Sequence, residues 1–318
     1  MKDKISPRIT DTAKILWYIY LGMTVLETVM LMFGGLSLYD SLCHTFGTLA
    51  TGGFSTLNNS IAGFNSLYVE IVIIFFMYLA GINFILHFFL IKGKFRDFFT
   101  NSEMRFYTYT LTAGIIFITL NLYYTNAYDS IMHSLRYAAF QVVSITTTTG
   151  FVTADFEQWP YFSKILLVIL MFFGGCSGST GGSIKQIRVM AVFKLSFNEI
   201  KKLAYPRAFV SLKIGSETIS DQVVKNIAAF FILFISIFAF VTLFLTFQGY
   251  DIITSFSASI ATLGNIGPGL ARVGAVENFA FFDSISKIVL SFNMLLGRLE
   301  IYSVLILIYS IFNPKKLH

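Results

Sequence analysis

Polar and apolar positions are grouped in long blocks along the chain. Apolar runs occupy 15–34, 68–91, 107–124, 162–174, 227–247 and 285–312, and a helix needs about 20 such residues to cross a bilayer. They predict six spans, the fourth short and running into glycine-rich sequence. Between spans one and two, three and four, and five and six lie semi-apolar stretches too short to cross. Each opens on the same dipeptide, Tyr39-Asp40, Tyr128-Asp129 and Tyr250-Asp251, and each closes on a glycine with small polar neighbours. The layout of span, short helix, polar loop and span is therefore an internal repeat occurring three times. Asp is a favoured N-cap, since its carboxylate accepts from free backbone N–H groups and suits the positive end of the helix dipole. Each Tyr-Asp pair thus predicts a helix start. One copy alone would mark an interfacial helix, whereas three at matching positions predict re-entrant pore helices.

The composition agrees with a polytopic membrane protein. Of 318 residues, 55% are hydrophobic and 13% charged, against about 25% charged in soluble domains, and the mean hydropathy is +0.71. The N-terminal residues 1–14 lack the apolar core of a signal peptide, so no cleaved leader is expected. Net charge is +6, and its distribution matters more than its size. Basic residues cluster at Lys2, Lys4, Arg8 and Lys14, at Lys92, Lys94 and Arg96, across 185–213, and at Lys315 and Lys316. The intervening loops hold Asp155, Glu157, Asn58 and Asn59, with Arg272 balanced by Glu277. By the positive-inside rule all four clusters face the cytoplasm, which puts both termini inside and makes six spans alternate correctly. The basic excess is topological, and nucleic acid is not an expected partner. Cys43 and Cys176 fit neither a metal spacing nor a disulfide framework.

Candidate chemistry lies where polarity interrupts the apolar blocks. "LATGGFST" at 49–56, "SITTTTGF" at 144–151 and "ATLGNIGPG" at 261–269 follow the three short helices. Irregular backbone at membrane depth is tolerated only where it lines a cavity, and rings of backbone carbonyls replace an ion's hydration shell in potassium filters. Glycine gives the positive-φ backbone that aims carbonyls one way. Taken singly, such a segment reads equally well as a Ser/Thr-rich helix cap. "GGCSGSTGGS" at 174–183 interrupts the fourth span, and each glycine weakens a helix by about 1 kcal/mol relative to Ala. A phosphate-binding loop would need a Gly-Lys-Ser/Thr ending and a preceding strand, both missing here; a flexible linker is the other alternative. Arg298 falls near the middle of 285–312, where insertion costs roughly 2.5–3.5 kcal/mol, so it should face protein or water. Glu300 is its candidate partner, although two residues apart they point to different faces. Asn83 and His87, spaced i,i+4, should share a face and form interhelical hydrogen bonds. Glu27 has no evident partner.

Together "SITTTTGF", "ATGGFST", "GGCSGSTGGSIKQIR", "ATLGNIGPG" and "NMLLGRLE" resemble the membrane subunit of Trk-type potassium uptake systems, in the Trk/Ktr/HKT superfamily. The resemblance covers essentially the whole chain. It implies an all-α polytopic membrane protein built from span–pore-helix–span repeats around a pseudo-fourfold pore, each giving one filter glycine. Matched motif by motif, the filter residues are Thr51, Gly52 and Gly53; Thr148, Thr149 and Gly150; and Asn265, Ile266 and Gly267. Three repeats are expected here, at 1–100, 101–215 and 216–318, corresponding to the family's second, third and fourth. The first would precede Met1, with "SPRITDTAK" as the cytoplasmic linker. The resemblance makes Gly174, Gly175, Gly178, Ser179, Thr180, Gly181 and Gly182, with Arg298, the gate. Lys185 stands at its cytoplasmic exit, either in gating or as a positive-inside anchor.

The implied function is non-enzymatic potassium transport, with K⁺ bound at the filter as cargo and no covalent cofactor. Implied partners are a second copy, giving a homodimer, a cytosolic nucleotide-binding regulatory ring expected to meet 194–213, and membrane lipid. The implied location is the bacterial cytoplasmic membrane. The alternatives are a truncated, non-conducting membrane protein and a secondary transporter with broken helices at mid-membrane. Three units of one orientation, rather than inverted halves, count against the transporter.

Overall fold

Helix boundaries follow local capping chemistry in the computed structural model, which describes residues 9–205, 212–215 and 217–312. The basic residues Lys2, Lys4, Arg8, Lys315 and Lys316, the cytoplasmic placement of both termini, and 206–211 of the 194–213 stretch lie outside the described residues. The helices are α1 (Ile9–Phe33), α2 (Leu38–Leu49), α3 (Leu67–Ala80), α4 (Phe84–Ile91), α5 (Phe95–Thr100), α6 (Ser102–Tyr124) and α7 (Ile131–Thr146). They continue as α8 (Tyr161–Met171), α9 (Gln186–Ala204), α10 (Asp221–Phe247), α11 (Ile252–Leu263), α12 (Ser284–Arg298) and α13 (Ile301–Phe312). A two-stranded antiparallel ribbon, Lys213–Ile214 with Glu217–Thr218, precedes α10. The three predicted short helices are α2, α7 and α11.

Only one Tyr-Asp pair caps its helix with the aspartate. Asp251 Oδ1 accepts from Thr254 N at 2.9 Å. At α7 the cap is Ser130, which accepts from His133 N at 3.2 Å. At α2 it is Ser37, which accepts from Asp40 N at 3.1 Å and donates to Asp40 Oδ2 at 2.6 Å. A serine within two residues of each of these two pairs has the extended backbone of a cap and takes the free N–H groups first. Asp40 still serves the helix start: the hydroxyls of Ser37 and Thr56 hold its carboxyl below the usual carboxylate range.

Of the six predicted spans, the fourth already expected to be interrupted, two more are broken. Among the described residues, α1, α6 and α10 are each long and apolar enough to cross a membrane. The second and sixth predicted spans break: α3 and α4 meet at 102°, and α12 and α13 at 111°. The fourth is α8, whose 11 residues extend only about 16 Å of the roughly 30 Å hydrocarbon thickness. Each repeat therefore has an interrupted second crossing. Asn83 makes the first break, because its side chain turns back to accept from Ile85 N at 2.9 Å and caps α4. It does not share a bonding face with His87, whose Nε2 donates to Leu79 O of α3 at 3.0 Å. Glu300 makes the last break in a left-handed conformation, φ 62°.

Polarity is distributed inside out. Phe240, Leu243 and Phe247 of α10 stand exposed, while His44, Thr45, Thr48, Gln141, Ser144, Ser255, Ser257 and Ser259 of the short helices are buried. An apolar exterior of this extent suits lipid, and the buried hydroxyls of Thr48, Ser144 and Ser259 find carbonyl partners on His44, Phe151 and Phe238. Around these helices α3 and α7 are clamped by a bidentate pair. Arg136 Nε and Nη2 donate to Glu70 Oε2 and Oε1 at 2.7 and 2.8 Å, and Glu70 is only 2% exposed. Removing one partner strands a buried charge, so Arg136→Ala should destabilise the protein by about 3 kcal/mol. Thermal unfolding in detergent should show the loss, and Glu70→Gln/Arg136→Met should recover most of it. An unchanged melting point for Arg136→Ala would mean that the pair contributes nothing net.

Candidate functional site

The helices α2, α7 and α11 each hand the chain to a triplet of the same backbone shape. The first residue is left-handed in every case: Thr51 φ 51°, Thr148 φ 61° and Asn265 φ 55°. The third is a positive-φ glycine: Gly53 at 65°, Gly150 at 85° and Gly267 at 106°. Asparagine tolerates the left-handed region. Threonine is β-branched and does not, so Thr51 and Thr148 hold strain of about 1–3 kcal/mol each.

The triplet N–H groups turn back onto the helix just ended. Thr51 N donates to Thr48 O at 3.0 Å and Gly52 N to Gly47 O at 2.8 Å. Thr148 N and Thr149 N reach Ile145 O and Ser144 O at 3.0 and 2.9 Å, and Asn265 N and Ile266 N reach Thr262 O and Ala261 O at 3.1 and 2.9 Å. With every triplet donor but that of Gly267 committed, the carbonyl oxygens of all nine triplet residues accept no hydrogen bond from the described residues. Free carbonyls joined to the negative ends of three helix dipoles make a site for a cation.

The triplets lie side by side in chain order. A Cβ on Gly53 would stand 2.0 Å from Thr149 O, and one on Gly150 would stand 1.9 Å from Ile266 O. Only glycine allows each strand to approach the next that closely. Around Gly267 none of the described residues lies within 4 Å of the corresponding position, so among them the three triplets form an arc open at that flank.

The 174–183 segment packs against this arc. Its ends are joined by a parallel bridge between Phe173 and Ile184, with Gly174 N donating to Ile184 O at 2.8 Å and Gln186 Nε2 to Gly174 O at 2.8 Å. A Cβ on Gly174 would be 2.0 Å from Gly182 O. The break between α3 and α4 receives its middle: Cys176 N donates to Gly81 O at 2.8 Å, and Phe84 N to Gly178 O at 3.1 Å. Gly175 lies against Gly81, Gly181 against Thr147 O and Gly182 against Gly264 O. Ser179 Oγ donates to Cys176 O at 2.6 Å, tightening the turn. Thr180 donates from N and Oγ1 to Ala80 O at 3.4 and 3.3 Å. The loop is thus bonded to the break after α3 and packs against the C-terminal ends of α7 and α11.

Arg298 ends α12 and does not sit inside a continuous helix. Its guanidinium donates to Thr180 O at 2.9 Å and to Ala50 O at 3.1 Å, joining the loop to the end of α2. Glu300 is not its partner. Glu300 Oε2 lies 2.6 Å from Arg188 Nη2, and Arg188 also stacks on Phe230 at 3.9 Å. Lys185 Nζ donates to Gly181 O. Lys185, Arg188, Arg298 and Glu300 line one cavity of about 330 Å³ with the loop residues 178–183.

Several contributors were not legible as site residues. Glu103, in the first turn of α6, accepts from Ser177 N at 2.6 Å and Ile187 N at 3.0 Å and ties down both sides of the loop. Its position reads as an ordinary acidic helix start. Gly297 lets α12 pass α11, since a Cβ there would be 1.9 Å from Leu263 O. The "GR" of "NMLLGRLE" carried that signal beside Arg298.

Residues 1–316 match the family model described as TrkH, cation transport protein. The chain is 38% identical to the Trk system potassium uptake protein TrkH of Salmonella typhimurium over 309 residues, 96% of this chain and 64% of that one. It is 35% identical to the Trk system potassium uptake protein TrkG of Escherichia coli, covering 98% of this chain and 64% of the relative. The crystal structure of the potassium transporter TrkH from Vibrio parahaemolyticus superposes with a TM-score of 0.89 at 37% identity, over 95% of this chain and 65% of that one. The chain thus spans about 64% of the length of these curated relatives.

Proposed function

The chain belongs to the TrkH family of cation transport proteins, and we propose that it forms three walls of a potassium-conducting pore. The observation that carries this is the threefold recurrence of a pore helix ending in a left-handed residue, a spacer and a positive-φ glycine with free carbonyls. Thr51–Gly53, Thr148–Gly150 and Asn265–Gly267 strip water from K⁺ and bind it. Repeat units at 1–100, 101–215 and 216–318 each supply one wall. The 174–183 loop, with Arg298, closes the path on the side where the loop packs against the triplets. Relatives named as proteins of a Trk system support a multi-component assembly, and in it we assign this chain a second copy of itself and a nucleotide-binding ring meeting 194–213. The positive-inside reading supports termini on the cytoplasmic side of a bacterial membrane.

The open flank at Gly267 favours a second reading, in which residues 1–318 alone insert but do not conduct. A carbonyl shell closed on three sides leaves an ion partly hydrated and backbone groups unsatisfied against hydrocarbon. The test is K⁺ uptake by an uptake-deficient host expressing residues 1–318, beside the same residues joined to one more span–pore-helix–span unit. Uptake only with the added unit is expected. Equal uptake by both would require the open flank to be closed by another copy.

A further inference from the structure

Two of the three triplets are bonded to the loop through their own side chains. Thr51 Oγ1 lies 2.9 Å from Thr180 O and 2.7 Å from Ala50 O, sharing its one proton between them. Arg298 donates to the same two carbonyls. A hydroxyl and a guanidinium therefore bridge the last carbonyl before the first triplet to the centre of the loop. On the second triplet Thr148 Oγ1 accepts from Gly182 N at 2.6 Å. Both threonines occupy the left-handed position, where the backbone is strained for a β-branched residue. Strain of that kind persists only where surrounding contacts over-determine the conformation, and for these two residues the loop supplies such contacts. The third triplet differs. Asn265 Nδ2 donates to Met294 O of α12 at 3.0 Å, away from the loop, and asparagine needs no outside help to stay left-handed.

We propose that Thr51 and Thr148 are positioning residues coupling the triplets to the loop, so that the filter's shape and the gate's position are one equilibrium. With the loop in place, two strands are held in the ion-binding conformation and the third is fixed on α12. Withdrawal of the loop breaks the bonds at Thr180 O and Gly182 N, and the strained threonines are then free to relax. By reciprocity, an ion that favours the bound shape of the triplets must also favour the seated loop. This rests on the filter reading proposed above, and the experiment separates the two.

Hydrogen–deuterium exchange is measured on the chain in lipid nanodiscs, in KCl and in choline chloride at equal ionic strength. K⁺ should slow exchange of the triplet amides and, through the threonines, of the loop amides around Gly182 by about fivefold, the lower end of ordinary allosteric coupling. In Thr51→Val/Thr148→Val, which keeps shape and removes both hydroxyls, K⁺ should protect the triplets alone. Thr45→Val, whose hydroxyl bonds Thr28 and not the loop, should behave as the unaltered chain. Equal loop protection by K⁺ in the double variant overturns the coupling. K⁺ protection of the triplets without the loop in the unaltered chain also overturns it and leaves the filter intact. Protection of neither overturns the filter reading, and the coupling falls with it.

Discussion

Gly150→Ser should lower the K⁺-over-Na⁺ flux ratio at least tenfold while the protein still inserts and purifies. At φ 85° the glycine occupies backbone space that a Cβ disfavours, and the added atom would stand 1.9 Å from Ile266 O. Something must shift, and what shifts is a carbonyl assigned to the ion. K⁺ discrimination depends on carbonyl number and field strength, and a tenfold ratio is only about 1.4 kcal/mol. Displacing one carbonyl in the second triplet and another in the third readily exceeds that. Gly267→Ser provides the contrast. Its Cβ would meet nothing within 4 Å, so only the backbone preference is disturbed and the loss should be smaller. The flux ratio is read in vesicles of a pore carrying a fourth unit, with separate ²²Na⁺ and ⁸⁶Rb⁺ uptake. An unchanged ratio for Gly150→Ser would remove Gly150 from the filter.

Arg298→Ala should raise K⁺ flux by tenfold or more in the same vesicles. Two effects add. At roughly 6 Å and an effective dielectric near 20, a fixed positive charge raises a cation's energy by about 3 kcal/mol, equivalent to about a hundredfold in rate. Arg298 also holds Thr180 O and Ala50 O together, so its removal loosens the loop from the end of α2 and leaves Thr51 Oγ1 as the direct tie to Thr180 O. The remaining ties at Thr51, Gly182, Cys176 and Glu103 keep the loop itself across the path as a steric barrier, so the gain in flux is less than the removal of the charge alone would give. Arg298→Lys retains the charge but cannot span two carbonyls with a planar fork, and it should recover most of the barrier. Unchanged flux in Arg298→Ala with normal expression would reduce Arg298 to a packing residue.

The layout of the fold was legible because it follows from the order of apolar and polar residues along the chain. Apolar blocks, Tyr-Asp pairs and glycine-terminated polar segments located α2, α7 and α11 and the triplets after them. The broken crossings were not legible. Nothing in "NMLLGRLEIYSVLILIY" marks Glu300 as left-handed, since the break depends on Arg188, 112 residues earlier, holding its carboxylate. Asn83 read as half of an i,i+4 pair because its capping role requires α3 to have already stopped at Gly81. The caps at Ser37 and Ser130 show a local ambiguity: Ser and Asp are comparable N-caps, and adjacent copies differ only in backbone geometry. The pair of Glu70 and Arg136 did leave a trace. Glu70 is an isolated charge in an apolar run and Arg136 one in a semi-apolar short helix, and a buried acid with no local partner implies a distant base. Glu103 left none, because its function is defined by two N–H groups more than 70 residues away.

If the three triplets coordinate K⁺ directly with their carbonyls, the ion itself can be located on the arc. Rb⁺ substitutes for K⁺ and scatters X-rays anomalously, so crystals grown in RbCl locate the ion without reference to flux. Anomalous density should fall on the arc between the carbonyls of Thr51–Gly53, Thr148–Gly150 and Asn265–Gly267, and should vanish in crystals grown in choline chloride. Rb⁺ density confined to the cavity of Lys185, Arg188, Arg298 and Glu300, or absent from the arc in a well-ordered map, would contradict the account.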